Sequence, residues 1–329
     1  LGSFPLKRFL LLLGLLIITA ALTIGGAAVY VYVQYTSPSK LVQGRDIIIP
    51  QGTGVRGIAE IFRREHIVDE PLIFLAGVRV SGLDRSLRAG EYHFPERVSP
   101  RQAAEILASG ETVKRFVTIP EGLRSGEIVE RINLVDGLTG EITDIPSDGT
   151  LLPETYQFSY GDSKQSILDR MRAAHDEMVE QLWPGRDPDL PFDTVEEALV
   201  LASIVERETG VAAERARVAG VFVNRLRINM RLQSDPTVAY AISPDKRLER
   251  ALTRQDLRFE SPYNTYVTGG LPPSPITNPG REAFYAVLHP AETKELYFVA
   301  DGTGGHAFAH TLKEHNRNVA KWRRIRDAQ

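Results

Sequence analysis

From Phe9 to Val33 the chain reads FLLLLGLLIITAALTIGGAAVYVYV, 25 residues without a charge. A helix of that length crosses a bilayer, whereas the apolar core of a secretory signal spans only about 7 to 15 residues. Residues 9–33 are therefore expected to form a retained membrane anchor. Lys7 and Arg8 precede the run, which favours a cytoplasmic segment 1–8 and places the rest of the chain outside the plasma membrane. Tyr30, Tyr32 and Tyr35 fall where an interfacial aromatic belt would lie.

Downstream the pattern changes to short apolar alternations followed by helical spacing. Three stretches align without gaps: IPQGTGVRGIAEIF from Ile49, FPERVSPRQAAEIL from Phe94 and IPEGLRSGEIVERI from Ile119. Each reads as an extended apolar run, a proline, then an amphipathic helix, as in DIIIP followed by Val55, Ile58, Ala59 and Phe62. The repetition predicts a small α+β module over 41–138. Gly52, Gly54 and Gly57 satisfy the dinucleotide-binding spacing, but the other copies lack the set, so turn glycines are preferred to a cofactor loop. Strand-turn-helix units of this kind resemble LysM-like modules, which hold polymers of N-acetylglucosamine. LRAGEYHFP and TGEITDIPSDGT read as connections, the second marking the border with a domain over 150–329.

In that second domain, helical periods run from Ser163 to Trp183, from Thr194 to Thr209 and from Ala213 to Leu226. The middle one is apolar nearly all round, as expected for a helix at the centre of a domain. At 100° per residue Glu206 shares a stripe with Val195, Leu199 and Ala202, whereas Glu208 points nearly the other way. Desolvation and the negative helix end both raise the pKa of a buried acid, which suits Glu206 to general-acid catalysis. The competing reading is an ion pair with Arg225 or Arg207, which would lower it.

Composition narrows the choices only slightly. A net charge of −3 leaves no footprint for nucleic acid, and the absence of cysteine removes disulfides and thiolate metal sites. His306, His310 and His315 with Asp301 invite a metal reading, but GGHAFAHT looks like turn and strand rather than a continuous helix, so no metal or cofactor is expected. Asp235, before Pro236, reads as a helix cap more readily than as a catalytic group. The stretch SPYNTYVTGGLPPSPITNPG holds prolines at 262, 272, 273, 275 and 279 with Tyr263, Asn264 and Tyr266 at its start. Such a loop offers aromatic faces and an amide to a sugar, or else packs against the core. Asn278, Pro279 and Gly280 read as the cap and first turn of a helix through Leu288.

Taken in order, LLPETY, LASIVERET, VFVNRL, MRLQSDPTVAY, SPYNTY, GLPPSPITNPG, LYFVA and GGHAF with EHN, behind an anchor and a LysM-like module, resemble the endolytic murein transglycosylase (YceG-like) family. The resemblance covers nearly the whole chain. It implies an α+β architecture, with a single N-terminal transmembrane helix, a small LysM-like module and a mixed α/β catalytic domain. It also implies cleavage of peptidoglycan strands between N-acetylmuramic acid and N-acetylglucosamine, leaving 1,6-anhydro ends, with peptidoglycan polymerases as partners. Glu206 is placed as the catalytic acid. Gln233, Asp235, Tyr263, Asn264 and Glu154 are expected to line the groove. A hydrolase pairing two carboxylates and a non-enzymatic wall-binding scaffold are the alternatives.

Overall fold

A computed structural model describes residues 6–327, so residues 1–5 of the expected cytoplasmic segment lie outside the described residues. Packing divides the chain into two compact units, one reaching to Arg115 and taking in Ser159–Asp162, the other formed by Phe116–Phe158 and the chain from Ser163 onward. The border expected near 139–150 is therefore displaced. Residues 116–138, the third copy of the sequence echo, pack with the second unit, where Val117, Ile119, Ile128 and Ile132 share a cluster with Tyr156, Ile167 and Met171.

The first unit runs α1 (Leu6–Thr36), β1 (Arg45–Ile49), α2 (Val55–Arg64), α3 (Pro71–Val80), β2 (Gly90–Phe94) and α4 (Pro100–Ser109). β1 and β2 pair antiparallel, with Ile47 opposite Tyr92 and Ile49 opposite Gly90. Ile47 and Ile49 are buried while Ile48 between them is exposed, the period of two that a one-sided sheet requires. GEYHF, read as a connection, is thus a strand. Phe62 stands edge-on to Phe74 and Phe94, with ring centroids 5.1 and 5.3 Å away. α4 opens on a capping box between Ser99 and Gln102 with Pro100 at its first position. Gly52 sits in the turn after β1 at φ +77°, a turn role for the glycine motif.

α1 is the one helix among the described residues long and apolar enough to cross a membrane. It outlasts the expected span by three residues, ending at Thr36 rather than Val33. Tyr35 is not a belt residue: its ring is buried in the core of the first unit and its hydroxyl lies 3.3 Å from Ser81 Oγ.

The second unit contains β3 (Arg115–Thr118), α5 (Ser125–Asn133), β4 (Thr155–Phe158), α6 (Lys164–Leu182), α7 (Val195–Glu208), α8 (Arg215–Arg227), α9 (Asp235–Ile242), α10 (Arg281–Leu288), β5 (Tyr297–Ala300), β6 (His306–Ala309) and α11 (Leu312–Arg326). Among the described residues its strands form two-stranded pairs, β3 with β4 and β5 with β6, beside the helices, so the unit mixes helix and strand as expected. α7 is the central rod. Thr194 and Glu197 close its N-terminus in a capping box, and every residue from Ala198 to Val205 is buried. Ser203 is tolerated there because its hydroxyl donates to the Val200 carbonyl and accepts the Ile276 N–H.

Candidate functional site

The last turn of α7 carries two acids into two different places. The Glu206 carboxylate accepts the backbone N–H of Gly280, the residue that caps α10, at 3.0 Å. A carboxylate at a helix N-terminus satisfies an unpaired donor and meets the positive end of the dipole. Burial pushes the Glu206 pKa up; the Gly280 N–H opposes this, Glu121 adds to it, and Arg215 and Arg207 oppose it. Glu206 is thus a half-buried brace between α7 and α10. The ion-pair alternative places Arg225 wrongly, because that guanidinium belongs to the other side of the turn.

Glu208 faces that other side. Its Oε1 accepts a 2.5 Å hydrogen bond from Ser234 Oγ. It lines a cavity of about 400 Å³ together with Arg225, Gln233, Asp235, Tyr266 and His306. Burial raises its pKa to about 7; the Ser234 hydroxyl works against this, Asp235 reinforces it, and His306 and Arg225 work against it. Arg225 is largely spent on structure. Its Nε donates to the Leu296 carbonyl at 2.7 Å and its Nη1 to that of Leu232 at 2.5 Å. It therefore contributes field rather than a salt bridge to Glu208.

The expected groove residues separate into two groups. Gln233 and Asp235 line the cavity, next to Glu208 and not next to Glu206. Gln233 holds a left-handed backbone, φ +49°, which for a residue with a side chain marks local strain at the cavity wall. Asp235 does not cap α9. Ser234 occupies the cap position, and Asp235 instead accepts the Tyr266 hydroxyl at 2.7 Å.

Tyr263, Asn264 and Glu154 go elsewhere. Asn264 is fully buried, its amide donating to the carbonyls of Leu257 and Phe259 and its oxygen accepting the Tyr266 N–H. No hydrogen-bonding capacity faces outward to a sugar. Tyr263 packs on Tyr240 with ring centroids 4.9 Å apart and pairs its hydroxyl with Ser274 at 2.7 Å. Glu154 is exposed beside β4, and its carbonyl accepts the Ile119 N–H. Asn278, expected as a cap, is instead a buried clamp: its oxygen accepts the N–H groups of Gly149 and Leu151, and its amide donates to Leu123 and Ser125.

Sequence reasoning named Glu208, Tyr266 and His306 but gave none of them a place in the site, and it gave Ser234 no role. The histidines do not gather as ligands, and among the described residues no group of three or more His, Cys, Asp or Glu side chains is disposed to hold a metal. His306 is bound instead to Glu214, at the end of the short turn Ala212–Glu214 between α7 and α8.

The profile of the YceG-like family matches residues 47–321. An endolytic murein transglycosylase of Bacillus subtilis is 32% identical over 84% of this chain and 84% of its own length. One from Streptococcus pneumoniae is 28% identical over 83% of this chain, which spans 57% of that longer protein. A crystal structure of a yceG-like protein from Listeria monocytogenes superposes with a TM-score of 0.51 at 29% identity, covering 84% of this chain and 99% of that one.

Proposed function

The chain belongs to the YceG-like family, and on that premise we propose that it is an endolytic murein transglycosylase whose proton-handling carboxyl is Glu208 rather than Glu206. The observation that carries this reading is the placement of Glu208. It is an acid with a pKa near 7, opening onto a cavity with polar walls, whereas Glu206 is committed to the end of α10. A carboxyl half-protonated near neutrality can donate to a leaving oxygen without being unavailable as a base.

The substrate is the glycan of peptidoglycan. Glu208 protonates the oxygen leaving C1 of N-acetylmuramic acid, and the muramyl C6 hydroxyl closes on C1 to give a 1,6-anhydro end without consuming water. Gln233, Asp235 and Tyr266 steady the sugar. The apolar α1 anchors the chain in the plasma membrane with its N-terminus cytoplasmic, so that the enzyme works on nascent strands beside the polymerases that extend them. The β–α–α–β order of the first unit, with its antiparallel strand pair, supports a LysM-like role in holding glycan.

A hydrolase is the second reading, favoured by one observation: Asp235 shares the cavity with Glu208. Two carboxyls flanking one glycosidic bond are what hydrolysis ordinarily needs. Digestion of purified peptidoglycan followed by mass spectrometry decides. Anhydromuramic ends, lost in Glu208→Gln, are the expected result; free reducing ends would establish the hydrolase, and full activity in Glu208→Gln would remove the assignment.

A further inference from the structure

We propose that His306, held by Glu214, is the base that takes the proton from the attacking hydroxyl, so that Glu208 need only act as the acid. This rests on the reading of Glu208 given above. The Glu214 carboxylate accepts the backbone N–H of His306 at 3.0 Å and contacts its ring Nδ1 at 2.7 Å. A carboxylate only accepts, so Nδ1 carries a proton; in the neutral ring Nε2 is then the bare nitrogen, the tautomer that a general base requires. The ring lines the same cavity as Glu208. It is wedged edge-on to Phe298, with centroids 5.4 Å apart, which fixes its orientation.

Gly305 of GGHAF has a purpose in this arrangement. A Cβ on Gly305 would lie 2.7 Å from Glu214 Oε1, closer than real Cβ contacts allow. A methyl there would press on the carboxylate that reaches both donors of His306. The arrangement is that of a carboxylate orienting an imidazole and stabilising its protonated form. The other charged groups nearby are Asp301, whose pKa the Thr303 N–H and hydroxyl hold down, and Arg225 and Asp235 around Glu208.

The step balances. As the bond from C1 to the leaving oxygen breaks, that oxygen receives the Glu208 proton. The C6 oxygen forms its bond to C1 while its proton passes to His306 Nε2. The imidazolium and the Glu208 carboxylate that remain face one cavity, and a single proton transfer between them restores the starting state. No oxidant, reductant or water is consumed.

The test is the pH dependence of turnover on purified glycan strands. The wild type should give a bell with an acid limb and with an alkaline limb set by Glu208, which burial raises to about 7. His306→Gln should lower kcat about 100-fold, as expected for loss of a general base, with KM changed less than about threefold, and should abolish the acid limb while keeping the alkaline one. Glu214→Gln should weaken the acid limb in the same direction. Nitrogen NMR of the folded full chain should find the His306 proton on Nδ1. An unchanged acid limb in His306→Gln, or a proton on Nε2, overturns the proposal. If His306→Gln fails to fold, Gly305→Ala serves, since it displaces Glu214 and leaves the imidazole; a wild-type pH profile there counts against the dyad. Full activity in Glu208→Gln would instead sink the underlying assignment, whatever His306 does.

Discussion

Glu206 and Glu208 lie on one helical turn and both lose water, yet burial alone does not make either of them a catalyst. On the Glu206 side the carboxyl is held by its neighbours. The carboxylate meets a backbone N–H at the start of α10, and Glu121, Arg207 and Arg215 complete a charged brace. On the Glu208 side a space of about 400 Å³ remains, walled by groups from α8, α9, the loop at Tyr266 and the β5–β6 hairpin. A raised pKa acquires chemical use only where a second molecule can approach it.

The largest effect expected from this contrast is on turnover. Glu208→Gln should reduce kcat by about 10²- to 10⁴-fold, the usual range for a lost general acid, with thermal melting unchanged or raised. Glu206→Gln should retain kcat within a few-fold. If their effects are reversed in a peptidoglycan digestion assay, the assignment of the two sides is wrong.

A second contrast lies within the loop that carries Asn264 and Tyr266. Asn264→Ala leaves buried carbonyls and an N–H unpaired, at about 1–3 kcal/mol, and should lower the denaturation midpoint without a matching rise in KM. A variant that binds glycan poorly at full stability would return Asn264 to the groove.

Stability against pH separates the carboxyls further. Folding holds the Glu208 proton up to about pH 7, whereas an ordinary glutamate releases it near 4.5. Between those values the native state binds more protons than the unfolded chain, so stability is full below the lower value and declines as pH rises, levelling off above about 7. Glu208→Gln should remove that slope in denaturant titrations; a slope that persists locates it in another group. The smaller effect expected is that of Glu206→Ala, about 1–2 kcal/mol for a lost helix cap, read as a shift of the urea midpoint with turnover preserved.

Much of the fold was legible because local rules governed it. The three strand-turn-helix echoes, the capping box at Thr194 and Glu197 and the burial of Ala198 to Val205 follow from periodicity and end signals. The angular separation of Glu206 and Glu208 was also legible, and so was the expectation that they meet different surroundings. Which side stays open was not. The apolar stripe sees only neighbours on α7, whereas the surroundings of Glu208 are built by Ser234, by Arg225 and by a hairpin that follows about ninety residues later in the chain. Asn264 and Asn278 misled for a related reason. The Asn264 amide, read as open to a sugar, is consumed by the nearby Phe259 carbonyl, and Asn278, read as a helix cap, is taken up by Gly149 from far along the chain.

Gly77 in α3 carries a mechanical implication. A Cβ at that position would lie 2.3 Å from the Tyr35 ring, so only hydrogen there lets the end of α1 seat against α3. The end of the apolar helix is packed into the core of the first unit, so a tilt of that helix would carry the first unit with it.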